Sequence, residues 1–344
     1  VAQLNATPVD TYEDPVGVVG EIIRRRYRLD RFIGVGGTGS VWRGSQLEAG
    51  IPVAIKLLGR EHLRSRVVRA RFAQEVEAVS RFRSRFVVRF FEHGETSGGI
   101  PYSVMELLSG ETLEQRLLRY GRLPLEEVVR FTLQVARGLS LAHSHGVVHR
   151  DVKPSNIFLH ESEEPDLGRI AKLIDFGVAK VENRADRSWV TLSGHVLGTP
   201  AYMSPEQALG QPSVDARSDL FSLGMVVFHL LTGVTPYEGD GYGQLLLAVC
   251  TQPLPRLLER APGLPPALEA WFQRACAREP DARFQKAQDF ARELLLASGF
   301  KEPLDGVLGR GSPPPHPIDL LRMRQEEPPT LLRLERPSEL PSRP

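Results

Sequence analysis

The segment HRDVKPSNIFL, His149–Leu159, sets a carboxylate, an ammonium and a carboxamide within six residues, Asp151 to Asn156. Asp and Asn at such spacing ordinarily serve turns, but that reading gives the intervening Lys153 nothing to do. Pro154 keeps the segment out of a helix, so the three polar groups can converge on one point before the strand-like IFL begins. Downstream, Ala171-Lys172-Leu173-Ile174 leads into Asp175-Phe176-Gly177. A carboxylate that ends a buried strand suits a hard cation, because Mg2+ takes oxygen ligands and works with one or two carboxylates plus substrate phosphates.

Upstream lies GVGGTGSVWRG, Gly34–Gly44, in a G-x-G-x-x-G frame. A dinucleotide fold requires a helix directly after the glycines, and Ser40-Val41-Trp42-Arg43 reads as a strand instead. A Walker A loop requires G-K-[ST], which is absent. A glycine-rich hairpin over a nucleotide and a plain tight turn both remain open from these residues alone. Lys56 follows at strand-to-strand distance in Val53-Ala54-Ile55-Lys56. Lysine is scarce in this chain, with six lysines against 37 arginines. By itself, Lys56 would be read as a solvent-facing residue at a strand end.

Taken together, G-x-G-x-x-G-x-V, V-A-I-K, H-R-D-x-K-x-x-N, D-F-G and S-P-E occur in one order from Gly34 to Glu206. This set resembles the eukaryotic-type (Hanks-type) protein kinase family over roughly residues 27 to 295. Its bacterial serine/threonine members are similar through GGTG, AHSHGVVHRDVKPSN and GTPAYMSPEQ. The resemblance implies an α+β fold of two lobes, a small five-stranded antiparallel sheet with one main helix and a larger, mostly helical lobe. It implies ATP and Mg2+ as cofactors, with Mn2+ as the alternative ion. Catalysis would fall to Asp151, which orients and deprotonates the substrate hydroxyl, and to Lys153 at the γ-phosphoryl group. Gly34, Val35, Gly36, Gly37, Thr38 and Gly39 would cover the phosphates. Lys56 would pair with the α- and β-phosphates and be held by Glu75, since Glu77 faces elsewhere on the helix. Val41, Ala54, Phe158 and Ile174 would line the adenine slot, with Met105 behind it and the backbone of Glu106 to Leu108 as hinge. Asn156 and Asp175 would ligate the metal.

The family also implies structural roles for Thr199, for a Glu206–Arg283 ion pair, and for Asp219 as the holder of the catalytic loop. Arg150, directly before Asp151, marks kinases switched by phosphorylation of the activation loop, where Thr191 and Ser193 are the expected sites. The Gly37-Thr38 tip lacks the larger apolar residue common in the family, which predicts modest nucleotide affinity.

The chain has 344 residues, enough for two lobes, and its +1 formal charge recommends neither nucleic acid nor an anionic membrane as partner. Cys250 and Cys276 sit in no C-x-x-C frame, so a cytoplasmic setting is expected. Val1 to Asp14 lacks the pattern of a secretory signal, and the missing initiator Met points to a processed or trimmed start. The longest apolar run, Phe221 to Leu231, falls short of the roughly 20 residues of a membrane span.

Strand textures are expected at YRLDRFIG, SVWRGSQ, IPVAIKLL, FVVRFFEHG, PYSVMELL, VVHRD, IFLH and AKLIDFG. A helix is expected with Val67, Ala70, Phe72, Val76 and Val79 inward. The resulting division is an irregular N-terminal extension (1–26), an N-lobe (27–108), a C-lobe (109–298) and a Pro-rich, disordered tail (299–344). In that tail Ile318, Leu320 and Leu321 form at most a weak docking helix.

His143, His145 and His149 hint at a metal site, although the first two end a helix and the third belongs to the loop motif. Eight arginines from Arg60 to Arg85 suit a solvated face, an acidic partner or a dimer mate. Expected partners are protein substrates and, for trans-autophosphorylation, a second copy of the chain. A pseudokinase scaffold and a small-molecule phosphotransferase are the competing functions. The first is disfavoured by the presence of Lys56, Asp151, Asn156 and Asp175. The second is disfavoured by the Gly198-to-Glu206 segment, which suits a peptide substrate.

Overall fold

The computed structural model describes residues 15–36, 38–162, 168–176, 200–239, 241–300 and 316–319. Alternating apolar and polar residues with turn chemistry between them build one antiparallel sheet. Its strands are β1 (Ile22–Ile23), β2 (Tyr27–Gly36), β3 (Gly39–Gln46), β4 (Ile51–Leu58), β5 (Phe90–Glu95) and β6 (Pro101–Glu106), in the order β1-β2-β3-β4-β6-β5. The register runs Gly36↔Gly39 to Tyr27↔Gln46 in the first long hairpin and pairs Val41 with Lys56 in the next.

All five expected strands are present, and β1 is an addition that corrects the reading of residues 1–26 as irregular throughout. Arg24 and Arg25 adopt φ of +50° and +57°, the left-handed pair at the centre of a tight turn closed by Arg26 N donating to Ile23 O at 3.0 Å. Ahead of β1, the Val16 carbonyl accepts hydrogen bonds from Ser40 Oγ at 2.9 Å and Trp42 Nε1 at 2.8 Å. The chain from Pro15 is thereby strapped to β3.

Helix α1 (Arg66–Ser80) packs on β5 and β6, its N-terminus capped by Ser65 Oγ accepting from Val68 N. Phe72, Val76 and Val79 form the buried stripe, whereas Val67 and Ala70 are exposed. The inward face is therefore the i, i+4, i+7 row starting at Phe72, which corrects the wider stripe read from the sequence.

The second half opens with β7 (Gly110–Thr112), α2 (Leu113–Tyr120) and α3 (Leu125–Ser144). Two further strands, β8 (Ile157–Glu161) and β9 (Arg169–Leu173), complete a three-stranded sheet, β7-β8-β9. Helices α4 (Pro205–Ala208), α5 (Ala216–Thr232), α6 (Tyr242–Thr251), α7 (Leu257–Arg260), α8 (Ala267–Ala275) and α9 (Ala287–Ala297) follow.

The run FSLGMVVFHLL lies in α5, which is apolar nearly all round because α3, α7 and α8 all pack against it. VVHRD, expected as a strand, forms none. Its backbone hydrogen bonds go instead to a side chain described below. The halves share a backbone seam, where Val88 N donates to Leu173 O at 2.9 Å and Leu173 N to Phe86 O at 2.8 Å. No described helix is long and apolar enough to cross a membrane.

Residues 314–344 group as a separate unit. Within it, 316–319 make one turn in which Asp319 N donates to His316 O at 2.8 Å. Leu320 and Leu321 lie outside the described residues.

Gly17 makes the strap testable. It holds φ at +93°, and a Cβ there would lie 2.7 Å from Leu29 Cδ1 and 2.8 Å from Leu57 Cδ1, while Gly20, at φ +88°, has open space. Both Ala variants incur the backbone strain, and only Gly17→Ala adds overpacking. Gly17→Ala is expected to lose about 1–2 kcal/mol more than Gly20→Ala, measured by urea unfolding of the two variants beside wild type.

Candidate active site

The site is built on Asp219, which α5 presents, fully buried, in its first turn. One carboxylate oxygen, Oδ2, accepts from His149 N at 2.8 Å and from His143 Nε2 at 2.8 Å, and the other accepts from Arg150 N at 2.7 Å. A buried carboxylate needs such donors to offset its desolvation, and here they come from the catalytic loop and the end of α3. This is where the backbone of VVHRD is satisfied, so no strand ladder forms there. Arg150 adopts φ +64°, and the chain then presents Asp151.

Asp151 Oδ2 lies 3.0 Å from Lys153 Nζ and 2.9 Å from Asn156 Nδ2. Asn156 Nδ2 also donates to Asp151 O at 2.9 Å. Both of its donated bonds point at Asp151, which leaves the carboxamide oxygen as an acceptor.

Strand β9 delivers the second carboxylate. Ile174 N donates to Asn156 O at 3.0 Å, and His149 Nε2 donates to Ile174 O at 3.1 Å. Because Asp151 N donates to His149 Nδ1 at 3.3 Å, the imidazole carries its proton on Nε2. Burial pushes its pKa below the ordinary histidine value, against the opposing pull of the Asp219 and Asp151 charges, so the ring stays neutral. It packs on the buried Phe176 at 4.4 Å between centroids.

Asp175 takes φ +51°, and its Oδ1 meets Lys56 Nζ at 2.8 Å. Burial pushes the Asp175 carboxyl up, and the Lys56 ammonium more than offsets this, so it ionises below its ordinary value.

Overhead, β2 and β3 close at Gly36↔Gly39. Gly39, at φ +154°, is required because a Cβ there would fall 2.0 Å from Leu57 O, whereas a Cβ at Gly34 would meet nothing within 4 Å. Thr38 O accepts from Gly59 N at 2.9 Å. Gly37 and the side chain of Glu75 lie outside what is described.

Ala54, Val88 and Met105 form a small apolar cluster with Leu107, Leu108 and Ile174 against it. Val41 and Phe158 are not part of that cluster. Val41 stands on β3 opposite Gly34 and Lys56, and Phe158 on β8 opposite Lys172 and Thr112. Among the described residues, no backbone partner takes the N–H or C=O of Leu108.

Residues 27–295 match the protein kinase domain. The chain belongs to the protein kinase family. It is 36% identical over 298 residues to serine/threonine-protein kinase pkn3 of Myxococcus xanthus, which covers 86% of this chain and 54% of that protein. Against serine/threonine-protein kinase PknL of Mycobacterium tuberculosis it is 36% identical over 273 residues, 79% of this chain and 66% of the relative. The kinase chain thus spans only part of the length of these curated relatives. The crystal structure of the Mycobacterium tuberculosis PknI kinase domain matches with a TM-score of 0.65 at 25% identity, covering 82% of this chain and 100% of that one.

Members of this family use ATP with a divalent metal ion. The oxygen donors at Asn156 and Asp175 fit a hard cation. Among the described residues of this kinase, no group of three or more His, Cys, Asp and Glu could hold a metal by itself. His143, from the H-x-H frame, serves Asp219 instead.

Sequence reading missed four contacts around this site. Lys172 Nζ pairs with both Glu106 oxygens at 2.7 and 2.9 Å, and Glu106 Oε1 also accepts from Arg89 N at 2.8 Å. His143 bonds Asp219, and Gln207 bonds Arg150. Thr191, Ser193 and Thr199 lie outside the described residues.

The helix below the site is fixed by Glu206, which meets Arg283 in a bidentate pair at 2.7 and 2.8 Å and accepts from Ser218 Oγ at 2.5 Å. Burial raises the Glu206 pKa, and the Arg283 and Ser218 hydrogen bonds overcome this to hold it below the ordinary value. Its stabilisation is therefore complete above the ordinary glutamate pKa and is lost as pH falls through the depressed one. Arg283→Met should cost about 3–5 kcal/mol near neutral pH by leaving a buried charge unpaired. That deficit should shrink on acidification as the stranded Glu206 protonates, as followed by urea unfolding at several pH values.

Proposed function

We propose that the chain is an ATP-dependent protein serine/threonine kinase that moves the γ-phosphoryl group of ATP to Ser and Thr hydroxyls of protein substrates. The observation that carries this reading is the Asp151 carboxylate, whose Oδ2 is shared by Lys153 Nζ at 3.0 Å and Asn156 Nδ2 at 2.9 Å. A carboxylate so fixed has the orientation that proton acceptance from an incoming hydroxyl demands. Lys153 brings positive charge to the same point, where charge spreads over the transferred phosphoryl oxygens.

Lys56 is assigned to the α- and β-phosphates, with Glu75 as its anion. The backbone from Gly34 to Gly39 is assigned to the phosphates. Ala54, Met105 and Ile174, with Val41 and Phe158, are assigned to adenine, and the backbone of Glu106 to Leu108 to its polar edge. Asn156 and Asp175 would hold the divalent ion, Mg2+ first and Mn2+ as the alternative, and a bound ion there would neutralise phosphate charge. Glu206, Arg283, Asp219 and Thr199 are assigned structural roles. The lobes divide near Leu108, flanked by the 1–26 extension and the 299–344 tail.

Thr191 and Ser193 are the proposed activation-loop sites, modified in trans by a second copy. The cytoplasm, where ATP is supplied, is the proposed location, and it suits the two free cysteines, Cys250 and Cys276.

With radiolabelled ATP and a generic Ser/Thr protein substrate, wild type should label itself and the substrate. Asp151→Asn should lose at least about 100-fold in rate while remaining folded by circular dichroism. Equal labelling by the two proteins would refute the mechanism. Mass spectrometry of ATP-treated wild type should find phosphate on Thr191 or Ser193, and modification of neither removes that assignment.

A further inference from the structure

The peptide that joins Arg150 to Asp151 is held at both polar ends by side chains, one from α4 and one from its own loop. Arg150, at φ +64°, sits in a left-handed conformation that residues with a Cβ rarely adopt. Its N–H is taken by Asp219 Oδ1 at 2.7 Å, and its C=O accepts from Gln207 Nε2 at 2.9 Å. That carbonyl belongs to the same planar unit as the Asp151 N–H, which donates to His149 Nδ1 at 3.3 Å. Both polar ends of the plane that carries Asp151 are therefore tied.

The Gln207 amide has only one orientation that satisfies its neighbours. Its Oε1 accepts from Ser204 N at 3.2 Å and from Ser204 Oγ at 3.0 Å, so Nε2 must face the Arg150 carbonyl. A flipped amide would set donor against donor and acceptor against acceptor. A carboxylate would serve Ser204 equally well but would turn lone pairs on the carbonyl. Only an amide, or a protonated acid, satisfies both sides.

Gln207 also has a rigid base. It follows Glu206 in α4, and the bidentate pair of Glu206 with Arg283 at 2.7 and 2.8 Å pins that short helix. One residue anchors α4 and the next reaches the catalytic loop.

We propose that Gln207 is a positioning residue for phosphoryl transfer, fixing the Arg150–Asp151 peptide plane and with it the direction of the Asp151 carboxylate. The role rests on the kinase reading given above. It makes the Asp151 geometry depend on where α4 sits, so the chain entering α4 and the catalytic loop move as one.

The test compares wild type, Gln207→Glu and Gln207→Met in steady-state peptide phosphorylation from about pH 5.5 to about pH 8.5, beside thermal unfolding of each. At the alkaline end Gln207→Glu should lose about tenfold in kcat with KM for ATP within about twofold, because the nucleotide site is untouched. As pH falls and the introduced acid gains its proton, its O–H replaces the missing donor, and the ratio of wild-type to variant kcat should approach one. His149, Asp151 and Lys153 are common to both proteins and cancel in that ratio.

Gln207→Met, which has no donor, should show a deficit that does not recover with pH. If Gln207→Glu fails to fold, Gln207→Met carries the test through the same kcat loss at unchanged KM. Wild-type kcat in Gln207→Glu at alkaline pH overturns the proposal. So does an equal, pH-independent deficit in the two variants, or a loss matched by loss of folded protein. A wild type that transfers no phosphoryl group overturns the kinase reading instead, and the role with it.

Discussion

One buried carboxylate organises this molecule. Asp219 is fully buried, yet it is surrounded by donors from stretches of chain far from it in sequence. Without it the backbone of His149 and Arg150 would need other acceptors, and the left-handed turn at Arg150 would lose the tie on its N–H side. His149 depends on that turn for its position, and the hydrogen bond from His149 to the Ile174 carbonyl carries the dependence to β9 and Asp175. The two carboxylates of the site are therefore registered to each other through backbone contacts that lead back to one aspartate in the first turn of an apolar helix.

Fixed charge is used differently in the rest of the core. Glu206 with Arg283 and Glu106 with Lys172 are both largely buried pairs. Pairs of this kind add little net stability compared with apolar packing, but losing one partner is costly. Arg283 shows how the desolvation is met. Besides Glu206, it donates to the carbonyls of Ala277, Arg278 and Arg217, so its guanidinium leaves little unsatisfied. Such a group specifies a single arrangement, which fixes where α4 sits.

The parts that were legible in the sequence are those in which chemistry and spacing coincide. The glycine hairpin, Lys56, and the polar residues from Asp151 to Asn156 could be read because a short local pattern already restricts what they can do. The illegible parts depend on partners remote in sequence. VVHRD has the composition of a strand, and what keeps it from a ladder is a carboxylate about 70 residues away. Val67 and Ala70 fit a helical period yet face outward, since periodicity gives the repeat of a stripe and not its edges. Gln207 looks like a capping residue, and it is one; nothing local reveals its other hydrogen bond. Asp219 was legible only through the family resemblance, which names it as the holder of that loop, because residue type alone shows no partner for it.

The seam between the halves has a mechanical meaning. Phe86 and Val88 bond to Leu173, and Lys172 is clamped by Glu106, so apart from the Lys56–Asp175 ion pair the fastening is narrow. A body held along a short line turns about that line, and displacement grows with distance from the axis. A few degrees of rotation would leave Met105 and Ile174 nearly still and swing the Thr38 tip through a much longer arc. The apolar cluster of Ala54, Val88 and Met105 beside that line would thus keep its shape, while the distance between the Thr38 tip and Asp151 would be set by the angle.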